Sequence, residues 1–199
     1  MINYEVFLAL MLYYFVMYVT PGPNNAMVLT SGLKFGFQKT ITHILGITFG
    51  HIIQLILVCF GLGQVFILFP DVQIVLKYIC AIYILYLGYK ILGSINPIID
   101  DGSRPLKLYE AALFQIVNPK AWTISSMAAS GFLQINDNLG IAILIIASTA
   151  LVICPLSITP WAMFGAAIRQ IVKNKNIKTI IEYSLALFLL ITAILIVYN

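Results

Sequence analysis

From residue 40 to 70, and again from 138 to 168, the chain runs without one charged side chain. Further charge-free stretches cover 6–33, 121–136 and 183–199. Several exceed the ~20 residues that a helix needs to cross a bilayer. In hydrocarbon every backbone N–H and C=O needs a partner within the chain, which leaves only helices and closed barrels. These runs are too long for barrel strands and do not alternate apolar with polar residues. The fold class they predict is all-α, a polytopic membrane helical bundle. Composition agrees: 61% of residues are hydrophobic and 9% charged, against about 25% charged in soluble domains. A soluble enzyme, a disordered chain and a nucleic-acid binder are excluded. The net charge of +4 gains meaning only from its placement.

Charges and turn residues divide the chain into six predicted transmembrane helices, about 5–33, 40–62, 72–92, 109–133, 139–166 and 178–198. The first run has no basic flank and no small-residue cleavage site, so it reads as a retained helix rather than a signal peptide. The only long polar stretch, Ser94–Leu108, divides the chain almost in half. The expected organisation is one transmembrane domain, with repeats at about 1–93 and 109–199 joined by a linker at 94–108. Lys34 and Lys39 fall in the first loop, Lys90, Arg104 and Lys107 in the third, and Arg169, Lys173, Lys175 and Lys178 in the fifth. The opposite side has only Lys77, which can snorkel outward. By the positive-inside rule those three loops are cytoplasmic and both termini lie outside. A three-helix unit used twice inserts in opposite orientations, giving a 3+3 inverted repeat. Secondary transporters built this way place their substrate near the midplane, on helices interrupted at corresponding positions.

The first helix of each half carries such an interruption. One contains Thr20-Pro21-Gly22-Pro23-Asn24-Asn25, the other Asn118-Pro119-Lys120. Proline removes a backbone donor and clashes with the carbonyl four residues back. Pro21, Gly22, Pro23 and Pro119 are therefore the predicted helix breaks. At a rise of ~1.5 Å per residue, Asn24 and Lys120 each sit ~15 Å from the nearest flanking charge, about half the hydrocarbon thickness. A charge at that depth costs about 2.5–3.5 kcal/mol on insertion scales. All seven acidic residues map to loops or membrane ends, so Lys120 has no evident ion-pair partner. Two uses for it remain: binding a substrate carboxylate in a hydrated cavity, or resting on carbonyls loosened around Pro119. Asn24, Asn25 and Asn118 can satisfy freed carbonyls, bind a zwitterion, or do both.

The second helix reads His43-x-x-Gly46-x-x-x-Gly50-His51-x-x-Gln54. Gly46 and Gly50 form a small-residue face that lets another helix approach closely. His43 falls near the headgroups and is expected at the surface. His51 falls near the midplane, where it is either a candidate proton site or a packing residue. Tyr78, Tyr83, Tyr86 and Tyr89 are expected to pack or anchor at the interface. Pro155 and Pro160 predict a bent or broken fifth helix, and Glu182 a solvated pair with Lys178. Cys59, Cys80 and Cys154 lie in separate apolar segments and are expected to pack as small hydrophobes. No spacing suggests a catalytic triad, a metal site or a cofactor.

Several segments carry a resemblance: T-P-G-P-N-N at 20–25, G-L-K-F-G-F at 32–37, L-G-I-T-F-G at 45–50, A-I-Y-I-L-Y-L-G-Y-K at 81–90 and F-Q-I-V-N-P-K at 114–120. In order and spacing they resemble the LysE/RhtB family of amino-acid exporters, over nearly the whole chain. The paired asparagine and F-Q-I-V-N are most similar to its cysteine/O-acetylserine exporters. The resemblance implies a six-helix carrier in the bacterial cytoplasmic (inner) membrane that exports amino acids or close derivatives, with proton exchange as the expected coupling. Many members place Asp where this chain has His51, which weighs against basic substrates. Distantly similar membrane thiol-transfer proteins place cysteines at both breaks, where this chain has none. The expected function is export of small neutral amino acids, cysteine/O-acetylserine-like or homoserine/threonine-like. A non-transporting assembly partner or thiol-relay component is the alternative. Expected partners are the amino-acid substrate and the lipid bilayer, with a homo-oligomer left open.

Overall fold

The computed structural model describes residues 4–63, 68–92, 104–136, 138–171 and 175–198. Its helices are α1 (Tyr4–Val19), α2 (Pro23–Phe35), α3 (Phe37–Leu57), α4 (Pro70–Ile91), α5 (Leu108–Val117), α6 (Pro119–Phe132), α7 (Leu139–Ile171) and α8 (Lys175–Tyr198). No strand occurs among the described residues. The linker predicted at 94–108 lies largely outside them, but Arg104 is described: its guanidinium donates to both carboxylate oxygens of Glu110, each at 2.6 Å. Glu110 also accepts the Lys107 N–H at 2.8 Å, which satisfies one of the orphan donors that open α5.

Among the described residues, four helices are long and apolar enough to cross a membrane: Phe37–Leu62, Pro70–Tyr89, Leu139–Gln170 and Thr179–Tyr198. α1 and α2 together make a fifth, bent by 56° at the break. The protein is a polytopic helical membrane protein. Its polarity is inside-out relative to a soluble fold. Leu12, Ile53, Ile82, Leu144, Leu156 and Ile180 face outward, while Asn25, His51, Gln54, Gln115, Asn118 and Ser125 are buried. Lipid supplies no hydrophobic drive to hold helices together, so packing and interhelical hydrogen bonds must do so.

Glycine sets the closest crossings. A Cβ at Gly46 would collide with the Leu108 carbonyl and lie 2.8 Å from Ala111 Cβ, and one at Gly50 would lie 2.5 Å from Ala112 Cα. The small-residue face predicted on the second helix therefore receives α5. On the other side α2 and α7 meet through Gly32, which abuts Ala162, and Gly165, which abuts Leu29 and Leu33. α4 packs on α8, and α7 also contacts α1 and α3.

Three expectations need correction. His43 is buried, because it lies on the same inward face of α3 as Ile47, Gly50, His51 and Gln54. Glu182 is buried as well, rather than solvated. Of the two outcomes expected at Pro155 and Pro160, bent or broken, the broken one is excluded, because α7 runs through both as one continuous helix of 33 residues. The tyrosines behave as expected: Tyr83 packs on Phe114 with ring centroids 5.1 Å apart, whereas Tyr78, Tyr86 and Tyr89 are exposed. All three cysteines are buried and free.

Candidate functional site

Both predicted breaks exist. α1 ends at Val19 and α2 restarts with Pro23 at its first position, where proline's missing donor costs nothing. α5 ends at Val117, and α6 restarts at Pro119 under a cap from Asn118, whose Oδ1 accepts the Lys120 N–H at 3.1 Å.

A broken helix leaves carbonyls without partners, and at the end of α1 three side chains supply donors. Asn25 Nδ2 donates toward the carbonyls of Tyr18, Val19 and Thr20 at 3.0, 3.2 and 2.9 Å. Trp161 Nε1, from α7, donates to Val19 O at 3.2 Å. Lys120, from α6, donates to Thr20 O at 2.6 Å, Thr20 Oγ1 at 2.9 Å and Pro21 O at 3.3 Å. The lysine thus meets carbonyls released by the opposite break, 100 positions away in sequence, rather than those around Pro119. A cation at a helix C-terminus also complements the helix dipole. Gly22 makes the contact sterically feasible, since a Cβ there would lie 2.7 Å from Lys120 Cδ.

A second cluster ties the breaks together. Asn24 Nδ2 donates to Gln115 Oε1 at 3.0 Å, and Gln115 Nε2 donates back to Asn24 Oδ1 at 3.2 Å. Asn118 Nδ2 reaches the same Gln115 Oε1 at 3.3 Å, and Gln54 Nε2 donates to the Gln115 carbonyl at 3.0 Å. Gln115 and Thr20 are the residues that sequence reasoning passed over. Gln115 stands one turn before Asn118 in an apolar helix, and that isolated polarity was the available signal.

Asn24, Asn25, Asn118, Lys120 and His51 line one small cavity of about 20 Å³, with Tyr18 and Cys154 on its wall. In this closed form it has room for about one water, so it must widen to admit an amino acid. His51 is buried, with its ring edge-on to Tyr18 at 5.4 Å between centroids. Neither of its ring nitrogens has a well-aligned hydrogen-bond partner among the described residues. The structure thus brings together every residue singled out from sequence for substrate contact, with both breaks.

Two interrupted helices whose breaks meet inside an apolar bundle are an arrangement used by membrane carriers. The chain matches the family model for the LysE type translocator over residues 15–199 and belongs to that family. It is a multi-pass protein of the amino-acid efflux type, a transporter rather than an enzyme. Among curated relatives, it is similar to the cysteine/O-acetylserine efflux protein of Salmonella typhimurium, 30% identical over 64% of this chain and 68% of the relative. The protein of that name from Escherichia coli K12 is 31% identical over 57% and 58%. A leucine efflux protein from Enterobacter is 26% identical over 81% and 80%. No solved structure matches significantly.

Proposed function

We propose that the protein is a secondary exporter of small neutral amino acids or derivatives, of the cysteine/O-acetylserine or homoserine/threonine kind, working by proton antiport across a bacterial cytoplasmic membrane. The observation that carries this reading is the meeting of the two breaks at Lys120 and Thr20, beside a cavity lined with amides. Lys120 pairs with the substrate carboxylate, Asn24, Asn25 and Asn118 orient the zwitterion, and His51 carries the proton. Among the described residues none with a carboxylate lines the cavity to receive a second cationic group, which favours neutral over basic side chains.

α5 and α6, read as one interrupted span, raise the count to six and make α1–α4 and α5–α8 corresponding halves. The pairings support that symmetry. α3 packs on α5 as α7 packs on α1, while α4–α8 and α3–α7 are contacts each half makes with its counterpart. Rocking of one half against the other opens the cavity to alternate sides.

Flux from proteoliposomes preloaded with labelled O-acetylserine, cysteine, threonine, leucine or lysine tests the function. Efflux of at least one neutral substrate, accelerated by an inward proton gradient, is expected. Efflux of lysine alone, or of none, overturns the reading.

A further inference from the structure

The contact between Lys120 and the end of α1 is more specific than a charge resting on a dipole. A primary ammonium has three N–H donors and no acceptor. Lys120 Nζ has three acceptors within reach, Thr20 O, Thr20 Oγ1 and Pro21 O, at 2.6, 2.9 and 3.3 Å. All belong to the break that directly follows α1, and none comes from a carboxylate. Gly22 and Lys120 line the cavity, so the acceptors that Lys120 holds stand at its edge. Gly22 leaves the space in front of them open, because a Cβ there would come within 3.2 Å of the ammonium nitrogen.

We propose that this end of α1 is a primary-ammonium subsite, which Lys120 fills as a tethered ligand and which the substrate's α-ammonium takes over on binding. The inference rests on the transport reading above and adds to it the orientation of the substrate. In an α-amino acid one carbon separates the ammonium from the carboxylate. A Lys120 side chain moved off the carbonyls therefore meets the carboxylate of the molecule that displaced it. Both states keep one cation on the carbonyls and leave no charge unpaired, so the exchange avoids the cost of baring a buried charge. Unbranched primary amines fit the three acceptors. A quaternary ammonium, with no N–H, does not.

The test needs no substrate and no transport. Purified Lys120→Met, which vacates the subsite, is heated with methylammonium, tetramethylammonium or sodium chloride at equal ionic strength. Methylammonium is expected to raise its unfolding temperature by about 2–4 °C, increasing with concentration. Tetramethylammonium and sodium should leave it unmoved, and wild type should respond to none of the three. Adding Thr20→Val, which removes one acceptor, should shrink the shift. If Lys120→Met does not accumulate, Lys120→Ala grown with the same salts replaces it, and recovery with methylammonium alone supports the subsite. Equal responses to methylammonium and tetramethylammonium, a response to sodium alone, or none in either variant overturns it. Absent flux with an intact methylammonium response would instead fault the transport reading.

Discussion

Lys120→Met separates two uses of the same ammonium. A lysine that served only to satisfy the end of α1 would be replaced at small cost, because Asn25 Nδ2 still donates to Thr20 O at 2.9 Å. A lysine that meets a substrate carboxylate cannot be replaced, since that charge would enter without its partner. The expected loss is about 3–5 kcal/mol, or roughly two to four orders of magnitude in binding. We expect the variant to insert at normal levels and to abolish efflux from preloaded cells; wild-type efflux at matched expression would remove Lys120 from the site. Lys120→Arg keeps the charge but not the compact three-donor geometry, so partial activity at best is expected. His51 poses a different question. Its ring nitrogens, in a cavity wall and without a well-aligned partner among the described residues, suit a group that gains and releases a proton. His51→Ala is expected to bind substrate yet lose the dependence of efflux on an imposed pH gradient. Unchanged pH-driven flux would make it a packing residue.

Between elements, the glycine crossings decide how closely the helices pack. Gly50→Ala would set a methyl group 2.5 Å from Ala112 Cα, a backbone atom that cannot step aside as a side chain can. The variant is expected to lose about 1–3 kcal/mol of stability through overpacking, read as a lowered unfolding temperature in detergent. Gly131→Ala is the matched control, because a Cβ there meets nothing within 4 Å. If both variants behave alike, α3 and α5 do not meet as described. The breaks belong to this scale too. Asn25 holds the last carbonyls of α1 from within α2, so Asn25→Ala should loosen the bend and not only the cavity.

For the whole molecule, the placement of Lys and Arg predicts that the central linker is cytoplasmic and both termini are outside. Ser103→Cys, in a background without Cys59, Cys80 and Cys154, should resist an impermeant thiol reagent in intact cells and react after permeabilisation. Labelling of intact cells would invert the topology. The same orientation requires α1 and α5 to enter from opposite faces, as two inverted halves would.

Much of this architecture was legible in the residues. Charge-free length fixed the membrane class, since hydrophobicity acts locally and needs no partner. Pro21, Pro23 and Pro119 located the breaks, because a missing N–H interrupts a helix wherever it falls. Gly46 and Gly50 announced a close crossing without saying which helix would fill it. The facing of His43 and Glu182 was not legible, because depth along a helix says nothing about the side toward which a residue turns. Nor was the partner of Lys120. Sequence left its ammonium between a substrate and the carbonyls around Pro119, while the fold delivered the carbonyls of Thr20 and Pro21, 100 positions away. Local chemistry determined that this chain spans a membrane and where its helices break. Only tertiary packing decided that the breaks face each other, because that depends on which helices meet across the bundle.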